Sequence, residues 1–153
     1  MFKKQLTHNY ERYNIAKETI EKMPIKYLLS SVMITEDDLE TELKNNSEKL
    51  KNLIMLMARD VTRESKIMSY TYAAAVAVLA EIAGLEYELR CGYSLDKNAN
   101  GYEKLAEEAK HANYSEDNLP LFVNHFYVTI EDKAYEYFNG STEIDHIYDV
   151  VVK

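Results

Sequence analysis

The sequence has few residues that could cross-link the chain through disulfides or metal ions. Of its 153 residues only one, Cys91, is a cysteine, so no internal disulfide can form, which fits a reducing compartment. One thiol also argues against a zinc site, and His8, His111 and His146 show no metal-ligand spacing. We therefore expect neither a metal nor another cofactor, and we interpret Cys91 as a small buried hydrophobic residue.

Glycine and long apolar runs are also scarce. With four glycines there is no Gly-rich loop to hold phosphates. No apolar run approaches the ~20 residues that a membrane-spanning helix needs. The first twelve residues include basic side chains but lack the apolar centre of a signal peptide. These absences predict a cytoplasmic protein that does not bind a membrane.

Basic residues are outnumbered by acidic ones. Lys and Arg number 18 against 26 Asp and Glu, which gives a formal net charge of −8. Nucleic-acid binding depends on neutralising phosphates with cations, so this balance argues against it. The length predicts a single domain, 1–153, large enough to bury about 68–70% of its unfolded surface.

The most informative stretch is 69–93. Its first part, 69–83, has no Pro or Gly and is rich in Ala, which predicts a buried helix that neighbouring backbones can approach closely. Gly84 then ends the helix. Apolar and charged residues alternate after Gly84, as in a half-buried strand, which we expect to end at Gly92-Tyr93.

The remaining segments are predicted to be mainly helical before residue 62. A first helix is expected over 4–22 and a short helix or turn over 25–34. Thr35 is an N-cap followed by acids, and an amphipathic stripe continues from it to Met57, with a break near 45–47. Another short helix is expected over 102–112.

The last third of the chain fits two interpretations. Helical spacing and strand alternation can both be found in 125–139 and in 144–152, although Tyr, Phe, Val, Thr and Ile favour strands. One interpretation is an all-α protein. The other is an α+β fold, in which 125–139 forms a hairpin about a turn at 131–133 and 144–152 forms a further strand.

Several motifs together resemble the transglutaminase-like superfamily, relatives of the papain-like cysteine peptidases, over roughly 50–140. In that family a nucleophilic Cys opens a helix in a pattern like Cys-x-x-Tyr-Ala, and an Asn-His strand and a hairpin ending in Asp follow. The matching residues here are Tyr72-Ala73, Gly84, Gly92-Tyr93 and Asn124-His125. Ser69 stands at the Cys position and Asn139 at the Asp position.

The resemblance implies an α+β fold with a helical layer (1–62) and a transglutaminase-like core (63–153). It also implies a thiol-type acyl transferase or peptidase acting on a peptide or protein. Ser69 would occupy the nucleophile position, His125 would be the acid/base and Asn139 would orient the imidazole. The N–H of Tyr70 is the candidate oxyanion donor.

Three explanations of Ser69 remain open. It is a cysteine deliberately replaced to trap an inactive enzyme, a natural loss of the nucleophile, or only an N-cap in an unrelated α+β fold. The second explanation gives the alternative function, a catalytically inactive binding protein such as a phage or mobile-element accessory or inhibitor protein. The sequence does not decide the oligomeric state.

Overall fold

Helices surround one long apolar helix, and a four-stranded antiparallel sheet packs against it. The computed structural model describes residues 4–62, 67–111, 124–138 and 140–152. In these ranges the fold is α+β, as predicted, and the all-α interpretation is wrong.

The N-terminal layer is helical up to the end of α4. Its elements are α1 (Lys4–Glu21), α2 (Ile25–Ser31), a 3-10 turn (Glu36–Asp38), α3 (Leu39–Asn45) and α4 (Glu48–Thr62). The predicted break is confirmed, because Asn46 adopts a left-handed conformation (φ 51°) and Ser47 Oγ accepts the N–H of Leu50 at the start of α4.

The apolar helix α5 (Ser69–Ala83) lies at the centre and has the predicted bounds. Every side chain from Thr71 to Ala80 is buried. This helix packs against α1, α3, α4 and the sheet, which its small residues allow. Gly84 ends the helix with φ 74°, a left-handed conformation that favours glycine.

The sheet contains β1 (Glu88–Asp96), β2 (His125–Ile130), β3 (Lys133–Tyr135) and β4 (Ile144–Val151), in the order β3-β2-β1-β4. The helix α6 (Tyr102–His111) follows β1 in the chain and packs against β1 and β4. The predicted hairpin and C-terminal strand are therefore confirmed.

The first strand does not end at Gly92-Tyr93, as the sequence pattern predicted. It continues to Asp96 because β4 pairs with it over this stretch, from Tyr93↔Tyr148 to Asp96↔Ile144. A strand partner so distant in sequence leaves no local signal.

Two faces of the sheet have different neighbours. Phe126, Val128 and Ile130 belong to the same buried apolar cluster as α5. Side chains alternate along a strand, so His125 and Tyr127 lie on the opposite face. Their rings are stacked, with centroids 5.5 Å apart.

A membrane-crossing helix would need to be both long and apolar, and none of the helices among the described residues meets both conditions.

Candidate active site

The candidate site begins in the first turn of α5, where Ser69 is the first helical residue. Met68 precedes it in an extended conformation, and the Met68 carbonyl accepts the N–H groups of Thr71 and Tyr72 at 3.1 Å each. No hydrogen bond joins the Tyr70 N–H to a described residue. Unpaired N–H groups at a helix start attract negative charge, so this turn suits an anionic group.

Ser69 also touches the start of β2. Its Oγ accepts the backbone N–H of Phe126 at 3.1 Å. The pairing of β2 with β3 extends only to Val128↔Tyr135, so Phe126 lies beyond the paired part of these strands. Ser69 thus accepts a backbone N–H of β2 that has no partner on β3. It lies beside Phe126, the residue that follows His125.

His125 is fully buried and hydrogen-bonded to an acid. Its Nε2 lies 2.7 Å from Oε1 of Glu136, whose side chain is 16% exposed. Burial would raise the pKa of Glu136, but the hydrogen bonds from His125 and His146 lower it to about 2. Burial lowers the pKa of His125 below its ordinary value, against the opposing effect of Glu136. At neutral pH the pair is therefore a neutral imidazole beside a carboxylate.

These charge states fix the tautomer of His125. An ionised Glu136 can only accept hydrogen bonds, so Nε2 of His125 must carry the proton. In a neutral imidazole the other nitrogen, Nδ1, then holds the lone pair. This Nδ1 is buried and has no hydrogen-bond partner among the described residues. A buried, unpaired acceptor is costly, and it is the form that a general base requires.

A second histidine binds the same carboxylate. The Nε2 of His146 lies 3.1 Å from Glu136, and its Nδ1 is 3.5 Å from Oγ of Ser94. His146 comes from β4, where the register shifts by one residue between Tyr93 and Ser94. The resulting bulge turns His146 to the face that carries Tyr127, with ring centroids 4.4 Å apart.

Aromatic rings enclose the imidazole of His125. Phe138 meets it edge-on at a centroid distance of 4.9 Å, and Tyr127 stacks on it. The Tyr127 hydroxyl donates to Asp149, which also accepts a hydrogen bond from Arg90 at 2.8 Å. The ring plane of His125 is thus held by packing as well as by Glu136.

A cleft of about 350 Å³ adjoins the acid. Its walls include Glu136 and the stacked rings of Tyr72 and Tyr137, whose centroids are 6.0 Å apart. Met55 and Lys51 of α4 also line it. Since Tyr72 belongs to the same first turn of α5 as Ser69, the cleft provides room for an extended ligand close to the site.

The structure places Ser69 against the backbone of β2, where its Oγ accepts the N–H of Phe126, the residue after His125. Among the described residues no hydrogen bond joins Ser69 to the His125 ring. Tyr70 lies beside Ser69 as expected. The predicted orienting residue, Asn139, is outside the described residues. Cys91 is buried in β1 and burial raises the pKa of its thiol to about 12, which agrees with its predicted role in packing.

Sequence reasoning missed Glu136 because it made the hairpin turn one residue too long, 131–133 instead of two residues. The turn comprises Glu131 and Asp132, and Lys133 already pairs with Ile130. A one-residue change of register moves every side chain to the other face of a sheet. With the observed register, Glu136 lies on the face of His125. No sequence signal indicated His146, because a bulge brings it there.

The two histidines both bind Glu136 through Nε2. Among the residues that the structure describes, no group of three or more His, Cys, Asp or Glu side chains is arranged to hold a metal ion.

Comparisons of this chain with protein-family models, with curated proteins and with solved structures found no match. The case for a function therefore depends on the site alone.

Proposed function

We propose that this chain carries an acyl-transfer site of the transglutaminase-like kind, acting on a peptide or protein, with serine in the nucleophile position. Ser69 holds the nucleophile position and His125 is the acid/base. Glu136 takes the orienting role that the sequence pattern suggested for Asn139. The observation that carries this proposal is the setting of His125, whose Nε2 lies 2.7 Å from Oε1 of Glu136 and whose buried Nδ1 has no hydrogen-bond partner among the described residues.

The reaction that this arrangement supports has two halves. In the first, the nucleophile at position 69 attacks the acyl carbon and its proton moves to Nδ1 of His125. The resulting oxyanion accepts the N–H of Tyr70 in the first turn of α5. The tetrahedral intermediate then collapses and the leaving amine takes the proton from His125. In the second half, water or an amine attacks the acyl-enzyme in the same way.

Glu136 contributes by its charge and its position. It holds the imidazole in the tautomer with a free Nδ1, and it stabilises the imidazolium that forms after proton transfer. Its pKa of about 2 keeps it ionised across the range in which His125 would work.

Serine is a weak nucleophile in this arrangement. A helix start and a histidine can ionise a thiol, whose free pKa is about 8.5, but not an alcohol of far higher pKa. We therefore expect the chain with Ser69 to be inactive or slow and the Ser69→Cys variant to carry a reactive thiolate.

The test is alkylation of a Ser69→Cys, Cys91→Ala variant by iodoacetamide, followed as intact mass between pH 4 and 9. Removal of Cys91 leaves one thiol in the chain. A matched control carries Ser30→Cys with Cys91→Ala, since Ser30 is exposed on α2. We expect the thiol at position 69 to react at least about tenfold faster than the control at pH 6, because a histidine-paired thiolate persists there.

The same measurement with His125→Ala or Glu136→Gln added identifies the source of that reactivity. Both changes should move the pH profile toward that of the control, and His125→Ala should have the larger effect. If the thiol at position 69 titrates like the control whether or not His125 is present, the catalytic proposal is wrong.

A second candidate function is a protein on the same scaffold that binds a peptide without turning it over. It is favoured by Ser69 itself, whose hydroxyl already ties α5 to β2, and by the aromatic cleft beside Glu136. The test is a peptide titration followed by NMR, in which a bound peptide should shift the signals of Tyr72 and Tyr137. An unchanged spectrum with all peptides would exclude this cleft as the binding site.

A further inference from the structure

The carboxylate of Glu136 accepts hydrogen bonds from two imidazoles, although the proposed reaction uses only one. His125 binds it at 2.7 Å and His146 at 3.1 Å, both through Nε2. A carboxylate held by a single donor can rotate about its terminal bond, whereas two donors from different strands fix its plane. The position of Glu136 therefore depends on His146 as well as on His125.

His146 is itself held in place from two sides. Its Nδ1 lies 3.5 Å from Oγ of Ser94, a side chain that is 1% exposed. Its ring packs against Tyr127 with centroids 4.4 Å apart. Such second-layer contacts decide how accurately a catalytic group is aimed.

The side of the sheet on which His146 lies depends on the register of β4. Without the register shift after Tyr93, alternation along β4 would place the side chain at position 146 on the other face of the sheet. The bulge in β4 is thus what brings the second imidazole to the acid.

We propose that His146 is a positioning residue, which rests on the function proposed above. It holds the Glu136 carboxylate against Nε2–H of His125 and thereby keeps His125 in the tautomer whose Nδ1 can accept a proton. His146 itself exchanges no proton with the substrate.

The test compares two substitutions that differ in one hydrogen-bond donor. His146→Phe keeps a ring against Tyr127 but removes the donor to Glu136. His146→Gln restores an N–H near the position of Nε2. Both are made in the Ser69→Cys, Cys91→Ala background and in the chain with Ser69, and thermal unfolding at pH 7 confirms that each is folded.

The first readout is the pH profile of iodoacetamide labelling. We expect His146→Phe to slow labelling of the thiol at pH 6 on the order of tenfold, because a hydrogen bond to a charged group is lost. His146→Gln should recover most of that loss. A role in packing alone would produce equal rates in both variants, and that result would overturn the proposal.

The second readout does not need a reactive thiol. Long-range ¹H–¹⁵N NMR spectra of the chain with Ser69 report which nitrogen of His125 carries the proton. We expect the Nε2–H form in the unchanged chain and in His146→Gln, and a mixture of both tautomers in His146→Phe.

The two readouts separate the inference from the proposed function. If the thiol at position 69 is unreactive but His146→Phe changes the His125 tautomer, the catalytic function fails and the positioning role stands. If the thiol is reactive and His146→Phe changes neither the rate nor the tautomer, the function stands and the positioning role is wrong.

Discussion

Single ionisable side chains at the site make the stability of the protein depend on pH. The pKa of Glu136 is lowered from 4.5 to about 2, so the unfolded chain binds its proton more readily than the folded one. The pKa of His125 is lowered from its ordinary value of 6.5, so here too the unfolded chain binds the proton more readily than the folded one. Both groups therefore stabilise the fold above their unfolded pKa values and lose that contribution as the pH falls.

We accordingly expect the free energy of unfolding to decrease as the pH drops below about 6.5, and more steeply between about 4.5 and 2. Urea denaturation at half-unit steps of pH measures this dependence. Glu136→Gln has no carboxyl group to titrate there, so it should be less stable at pH 7 and show a flatter curve below pH 4.5. A chain whose stability is unchanged from pH 7 to 3 would contradict the buried His125–Glu136 pair.

At the scale of elements, the β4 backbone leaves no room for a side chain at Gly92 of β1. A Cβ atom added there would collide with the carbonyl oxygen of Tyr148 and come within 2.7 Å of Cα of Asp149. Backbone atoms cannot move aside without breaking the pairing of the two strands. Gly92 thus lets β4, and with it His146, lie against the central strand.

Gly92→Ala is therefore expected to destabilise the protein by about 3 kcal/mol. Gly84→Ala is a matched control, because nothing lies within 4 Å of its added Cβ and only its φ of 74° is unfavourable. That cost is about 1–2 kcal/mol. Chemical denaturation of both variants measures the difference, and equal losses would mean that β4 is not packed as described.

The elements also show which features the sequence could predict. The Ala-rich composition of α5 predicted the helix and Gly84 predicted its end, because both are local signals. The end of β1 and the position of His146 depend on pairing with β4, which is distant in sequence. The role of Glu136 could have been predicted, since a two-residue turn at Glu131 and Asp132 would have placed it beside His125.

In the whole molecule, α5 is enclosed and α6 is peripheral. Helices and sheet surround α5, whereas α6 buries only Ala106 and Ala109 among its described side chains and packs on β1 and β4. Local opening should expose α6 while α5 stays folded.

Hydrogen exchange tests this difference. Amides of residues 73–80 should exchange only through global unfolding, and their protection factors should exceed those of α6 by at least about 100-fold. Exchange followed by NMR or mass spectrometry in low urea distinguishes the two helices. Protection in α6 equal to that in α5 would mean that the molecule unfolds as a single unit.

The acid and the base of the site are only eleven residues apart, on one β-hairpin. A duplication or recombination that carries this hairpin would transmit both groups together, in register. Ser69 lies outside that segment, and most serine codons become cysteine codons through one nucleotide change. Under the function proposed here, a lineage with this hairpin could therefore lose its nucleophile and regain it while the inherited histidine–glutamate pair stays unchanged.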